Sequence, residues 1–264
     1  IQKSFRERIE KENIPQEVLD IENRLDLRDK VIFTIDGETA RDFDDAVSIE
    51  DTEKGFLLGV HIADVSHYVK LNSGLDKEAY ERGTSVYLPD RVIPMLPEKL
   101  SNGICSLNPN ADRLTLSVFM EVNRNGEVIS HRIHKSVICS KCRMTYERVN
   151  AILEDGEDAK EYAPFIRDLK KMEILAKILH EKRVMRGAIE FDFPELKILT
   201  DDEGNPVRIS VNERGISNRM IEEFMLLANE TVAEFAFWSE LPFIYRVHEA
   251  PSLEKITAFN LFLK

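Results

Sequence analysis

Apolar and polar positions alternate along this chain with two different periods. Val31-Ile32-Phe33-Thr34-Ile35 and Ala46-Val47-Ser48-Ile49 are short apolar runs rich in β-branched residues, which predicts two strands. Gly55 to His61 predicts a third. Leu114–Val122 and Val128–Cys139 surround Asn123-Arg124-Asn125-Gly126, an Asn-Gly turn that predicts a hairpin. Leu196–Leu199 and Val207–Val211 predict a second hairpin, and Ala188–Phe193 a further strand. Elsewhere the period lengthens. Phe165, Leu169, Met172, Leu175, Ala176 and Leu179 recur three and four apart, predicting a helix over Ala163–Arg186 with basic residues in its last turn and Gly187 behind it. A second long helix is expected from Asn218 to about Trp238, capped by Ser217, with Ile221, Phe224, Met225, Ala228, Val232 and Phe235 as its apolar stripe. Glu222 then lies at the stripe's edge, and Glu223, about 100° further round, faces solvent. Shorter helices are predicted over Leu75–Gly83 and from Ser252 onward. Val86–Pro97 holds three prolines and reads as an ordered loop displaying Tyr87 and Arg91.

The candidate chemistry sits between the first two strands. Asp36, Asp42, Asp44 and Asp45 fall within ten positions, with Gly37 marking a turn. If the two strands pair, the carboxylates converge, and like charges at short range repel or raise one another's pKa. A hard divalent cation removes that penalty, and two such ions are a common device for hydrolysing a phosphodiester. A solvated acidic turn is the plainer alternative. A calcium loop of the EF-hand type is excluded, because neither Asp36 nor Asp42 as first position places acids and glycine at the required spacing. His61, Asp64 and His67 match no zinc spacing and are expected to be structural. Cys139 and Cys142 form a lone Cys-x-x-Cys, with Cys105 remote, which does not make a zinc site. His131, Arg132, His134 and Lys135 read as the solvent face of a strand.

Composition narrows the picture. The chain has 264 residues, enough for one large or two small domains, with 43% hydrophobic and 32% charged residues. No apolar run is long enough to span a membrane, and Ile1–Arg6 has no signal-peptide core. The chain does not begin with Met, which suggests a fragment or processed chain, and three cysteines suit a reducing cytoplasm. The net charge of -12 by itself speaks against a phosphate-gripping surface, although bound cations would offset part of it.

Five blocks carry a resemblance. They are Ile35-Asp36-Gly37 with Arg41-Asp42-Phe43-Asp44-Asp45-Ala46, Gly59 to Val69, Ser85 to Pro97, Leu100 to Pro109, and Met225-Leu226-Leu227-Ala228-Asn229. In this order they resemble the catalytic domain of the ribonuclease II / ribonuclease R family, on the side of its bacterial ribonuclease R members. The resemblance implies a mixed α/β (α+β) fold with a largely antiparallel sheet and flanking helices. Residues 1–30 would be a linker and leading helix. Residues 31–264 would be the N-terminal part of an RNB catalytic domain, whose phosphate-holding arginine stretch lies beyond Lys264. It implies a 3′-to-5′ exoribonuclease releasing nucleoside 5′-monophosphates from the 3′ end of single-stranded RNA. Asp36, Asp42 and Asp45 would ligate magnesium, or manganese in its place, and Asp44 would assist by binding metal or water. Tyr87 and Phe191 would clamp the last base, and Glu222 would contact the terminal nucleotide. A monomeric cytoplasmic enzyme with no role on DNA or membranes is expected. The other reading is a catalytically silent acidic domain that binds metal or another protein.

Overall fold

The computed structural model describes residues 23–263, apart from 89–90, 158, 190–194, 202–204, 213 and 248. The expected leading helix over 16–24 and the expected strand over 188–193 lie wholly or mostly outside the described residues. The chain divides into two compact units at Ala228/Asn229.

The first unit is built on a seven-stranded sheet. Its strands are β1 (Leu25–Asp26), β2 (Phe33–Asp36), β3 (Asp45–Asp51), β4 (Gly55–Ala63), β7 (Asp112–Asn123), β8 (Val128–Cys139) and β9 (Cys142–Thr145). Their order across the sheet is β1-β8-β7-β4-β3-β2-β9. The β1–β8 and β2–β9 pairs are parallel and the others antiparallel, as the largely antiparallel expectation required. Pairing through β1 brings the sheet back to Leu25, and Leu27 is buried, so the chain is already part of the fold there.

One covered face of the sheet is apolar, and the other mixes apolar residues with a buried polar network. Phe33, Val47, Leu58, Val60 and Met120 are fully buried, and helix α4 (Ile166–Met185) packs against β3 through a stripe that includes Leu169, Met172 and Leu175. A separate buried cluster joins Ile32, Phe43, Ala46, Leu107, Phe119 and Ile138. The β7–β8 hairpin turns at Gly126, whose φ of 75° lies in the left-handed region that glycine tolerates. Gly59 on β4 is needed for space: a Cβ there would come within 2.4 Å of Ser48 Oγ and 2.9 Å of His61 Nε2.

Between the strands come α1 (Val65–Tyr68), α2 (Gly74–Arg82), a two-stranded ribbon of β5 (Val86–Tyr87) and β6 (Val92–Ile93), and a π-helical turn over Lys99–Ile104. Ser73 Oγ accepts the Asp76 N–H at the start of α2, and Gly83 ends it at φ 71°. Helix α3 (Tyr146–Leu153) follows β9 directly, capped by Thr145. The second hairpin, β10 (Glu195–Thr200) with β11 (Pro206–Asn212), forms a sheet of its own.

Helix α5 (Ile216–Trp238) corrects two expectations. Ser217 is not its cap. It lies inside the first turn, where its Oγ donates to the Tyr146 C=O at 3.1 Å. The buried face is also broader than predicted: Ile221, Phe224 and Ala228 of the expected stripe are buried, Met220, Glu223, Leu227 and Thr231 join them, and Phe235 is exposed. In the second unit the chain leaves α5 through Glu240, at φ 52°, and ends in α6 (Leu253–Phe262), where Ser252 Oγ accepts the Lys255 N–H at 3.3 Å.

Candidate active site

The four aspartates meet where β2 gives way to β3. Asp36 is the last residue of β2 and Asp45 the first of β3. The intervening segment carries Asp42 and Asp44 on either side of Phe43, which is buried in the core cluster. A core side chain between two acidic ones leaves both carboxylates on the open side of the chain. The segment has one internal turn, closed by Ala40 N–H on Gly37 C=O at 3.1 Å.

Charge effects link Asp36 to Asp45 and Asp44, Asp45 to Asp44, and Asp44 to Asp42. Burial, reinforced by the charge of Asp45, pushes the Asp36 carboxyl up to about 7, against the pull of the Thr34 side chain and, more weakly, of Arg143. Burial and the Asp44 charge push Asp45 up to about 6. Asp44 is the most open of the four, and partial burial together with Asp42 raises it as well. Asp36 Oδ2 is buried and has no hydrogen-bond partner. Tyr146, at the start of α3, also borders the cluster. Burial and the charges of Asp45 and Asp36 push its phenol up to about 12, so it keeps its proton at neutral pH.

Donor type and unmet charge fit a hard divalent cation. All four groups offer carboxylate oxygens, and one of those oxygens is buried without a partner. Among the described residues, however, no three Asp, Glu, His or Cys side chains already surround a single point as a closed metal-binding group. Asp36, Asp42, Asp44 and Asp45 therefore fit the ion by chemistry and charge, and the set is not closed.

The other expected site residues are dispersed. Tyr87 is exposed on β5, opposite Val92 of β6. Phe191 lies outside the described residues. Glu222 is half exposed and paired with Arg214. Its neighbour Glu223, expected at the surface, is buried: Oε1 accepts from Arg183 Nε at 2.9 Å and Nη2 at 2.7 Å, with His180 Nδ1 at 3.2 Å. A carboxylate can occupy an apolar stripe when a guanidinium meets it there. His61, Asp64 and His67 form no metal group. His61 is fully buried between Ser48 and Ser117, and Asp64 is bound by Arg24.

Sequence reading missed Tyr146, Arg143 and Ser106. Arg143 Nη2 donates to Gly37 C=O at 2.9 Å and Glu38 C=O at 2.7 Å. Ser106 Oγ accepts the Phe43 N–H and donates to Arg41 C=O, each at 3.0 Å. Ser106 lies within the Leu100–Pro109 block, but no local pattern shows what any of the three faces, because the residues they face lie more than 60 positions away in the chain.

A sheet that gathers acidic groups at a strand junction in this topology defines a family. The RNB-domain model matches residues 24–264, and the chain belongs to the RNB-domain family. It is 56% identical over 247 residues to Ribonuclease R of Thermotoga maritima, covering 93% of this chain and 35% of that protein. The structure of Mycoplasma genitalium RNase R in complex with double-stranded RNA superposes with a TM-score of 0.91 at 33% identity, over 99% of this chain and 46% of that one. Yeast Ssd1, a pseudonuclease, shares the fold at 19% identity and a TM-score of 0.73, over 95% of this chain and 31% of that one. The chain spans about a third of the length of the curated relative it matches. Among the described residues no helix is long and apolar enough to cross a membrane.

Proposed function

We propose that the protein carrying this chain is a divalent-metal-dependent 3′-to-5′ exoribonuclease that releases nucleoside 5′-monophosphates from single-stranded RNA. The observation that carries this reading is the mutually repelling carboxylate group at the β2–β3 junction, with its orphaned Asp36 oxygen, in a chain of this family. Asp36, Asp42 and Asp45 would hold magnesium, with manganese able to substitute, and Asp44 would assist by binding metal or water. When bound, the ion supplies Lewis acidity toward the phosphate and lowers the pKa of a bound water. Tyr87 and Phe191 stack on the terminal base, a contact blind to sequence and suited to an enzyme that accepts every nucleotide. Glu222 contacts the terminal nucleotide, which requires it to leave Arg214. The Tyr146 hydroxyl stays protonated and is available as a hydrogen-bond donor beside Asp45. The working form is a cytoplasmic monomer.

A second reading follows from two observations: the metal set is not closed, and the fold is shared with a pseudonuclease. On that reading this region is a silent acidic binding domain. A magnesium-dependent assay on 3′-labelled single-stranded RNA, with Asp44→Asn as control, separates the two. Mononucleotide release that requires magnesium and is lost in Asp44→Asn supports the enzyme. Absence of release from the full-length protein supports the silent domain.

A further inference from the structure

The acidic segment from Gly37 to Asp44 has almost no regular structure of its own. A short irregular stretch bearing like charges should spread apart unless something outside it holds the backbone. Two side chains remote in sequence do so. Ser106 is fully buried, and its single hydroxyl accepts from Phe43 N–H at 3.0 Å and donates to Arg41 C=O at 3.0 Å. Those two backbone groups flank Asp42, so the hydroxyl fixes the peptide planes on both sides of that residue. Leu107 N–H adds a bond to Phe43 C=O at 2.8 Å, and Arg113 Nε holds Ser106 through its C=O at 2.8 Å. At the other end Arg143, on β9 beside Thr34, binds the carbonyls of Gly37 and Glu38. Its guanidinium stands 5.5 Å from the centre of the Phe43 ring, and its Nε is buried without a partner. The segment is thus gripped just after Asp36 and on both sides of Asp42.

We propose that Ser106 and Arg143 are positioning residues that hold the Gly37–Asp44 backbone in place, so that divalent-cation binding at Asp36, Asp42, Asp44 and Asp45 leaves only the side chains to close around the ion. The proposal rests on the cation-binding reading above and gives neither residue a chemical step. Its physical content is preorganisation: a segment already ordered does not spend binding free energy on becoming so. Removing the Ser106 hydroxyl leaves the buried Phe43 N–H and the partly buried Arg41 C=O without this partner, and the segment shifts to satisfy them.

The test titrates Mn²⁺ into the metal-free full-length protein without RNA and follows bound ion by electron paramagnetic resonance, with the melting temperature recorded alongside. Ser106→Ala is expected to weaken Mn²⁺ binding about tenfold, the equivalent of one lost buried hydrogen-bond arrangement. Ser106→Cys keeps the size and a weak donor, and falls between. Arg143→Lys keeps the charge but not the two-carbonyl grip, and is also expected to bind Mn²⁺ more weakly. Hydrogen exchange at the Phe43 amide should accelerate in Ser106→Ala while the amides of β4 and β7 stay protected. If Ser106→Ala does not fold, the Cys and Lys variants decide. Unchanged Mn²⁺ affinity in the variants, with binding lost in Asp45→Asn, overturns the positioning role and leaves the metal site standing. Unchanged affinity in Asp45→Asn as well overturns both.

Discussion

The sheet carries two groups of polar side chains, built in opposite ways. In the first, His61 Nδ1 meets Ser117 Oγ at 2.7 Å and its Nε2 meets Ser48 Oγ at 3.1 Å. Ser136 Oγ continues the chain of bonds, at 2.5 Å from Ser117 Oγ and 2.8 Å from Thr115 Oγ1. Arg24 Nη1 donates to the Thr115 carbonyl at 3.3 Å, and its Nη2 binds Asp64 at 2.6 Å, with the two side chains only 4% and 7% exposed. Burial pushes the Asp64 carboxyl up, but the bonds from Arg24 and Ser66 outweigh it and hold the carboxyl below its ordinary value. In the second group, burial pushes the Asp36, Asp44 and Asp45 carboxyls up, neighbouring carboxylates add to the shift, and Asp36 Oδ2 has no partner. A buried polar group left unsatisfied costs about 1–3 kcal/mol, and Asp36 Oδ2 is one of four such atoms among the described residues, with Thr34 Oγ1, Tyr68 Oη and Arg143 Nε. The His61 network meets its own polar groups; the aspartate cluster leaves negative charge for a cation to offset.

Substitutions should respect that division. If the proposed activity holds, Asp44→Asn in the full-length protein is expected to slow RNA degradation by about a hundred- to ten-thousandfold while leaving RNA binding and melting temperature intact. A wild-type degradation rate would remove Asp44 from the mechanism. Arg24→Ala should do the reverse. It strands Asp64 and is expected to cost about 3–5 kcal/mol in denaturant unfolding, with the magnesium concentration for half-maximal activity unchanged. A shift in that magnesium requirement would mean the two groups are coupled.

Tyr87→Ala should cost about 1–3 kcal/mol of stacking on the last base and change the length of the final product more than the rate. Product lengths on an end-labelled oligonucleotide check this. The smallest effect concerns pH. Asp36 and Asp45 titrate near 7 and 6 in the fold, above their unfolded value. Without a cation their contribution to stability is present at low pH and is lost as pH rises through 6 and 7. Magnesium should therefore raise the melting temperature more at pH 8 than at pH 5.5, by about 2–4 °C per kcal/mol. His61 works in the other direction. Burial holds it near 3, so stability declines as pH falls below about 6.5 and the unfolded chain takes up a proton. That loss is the same with and without magnesium, so the magnesium-dependent difference isolates the carboxylates. A magnesium shift independent of pH would contradict the assignment.

Much of this was legible in the chain. Local periodicity located both hairpins, the strands around the acidic segment and the two long helices, because burial on one face imposes a period of two or about 3.6. The aspartate cluster was legible too, since all four residues are neighbours in sequence. The breadth of the buried face on α5 was harder to read. Glu223 sits on the buried face only because Arg183 of α4 meets it there, and no pattern within α5 records that partner.

The sequence by itself determined the acidic segment, the strands on either side of it and the family to which the chain belongs. Only the tertiary structure decided which carboxylates repel, which carboxylate oxygen is left without a partner, and which remote side chains grip the loop. The reason is range: strand and helix patterns are set by residues a few positions apart, whereas Ser106 and Arg143 reach this loop across 63 to 106 positions, through a sheet that must form first.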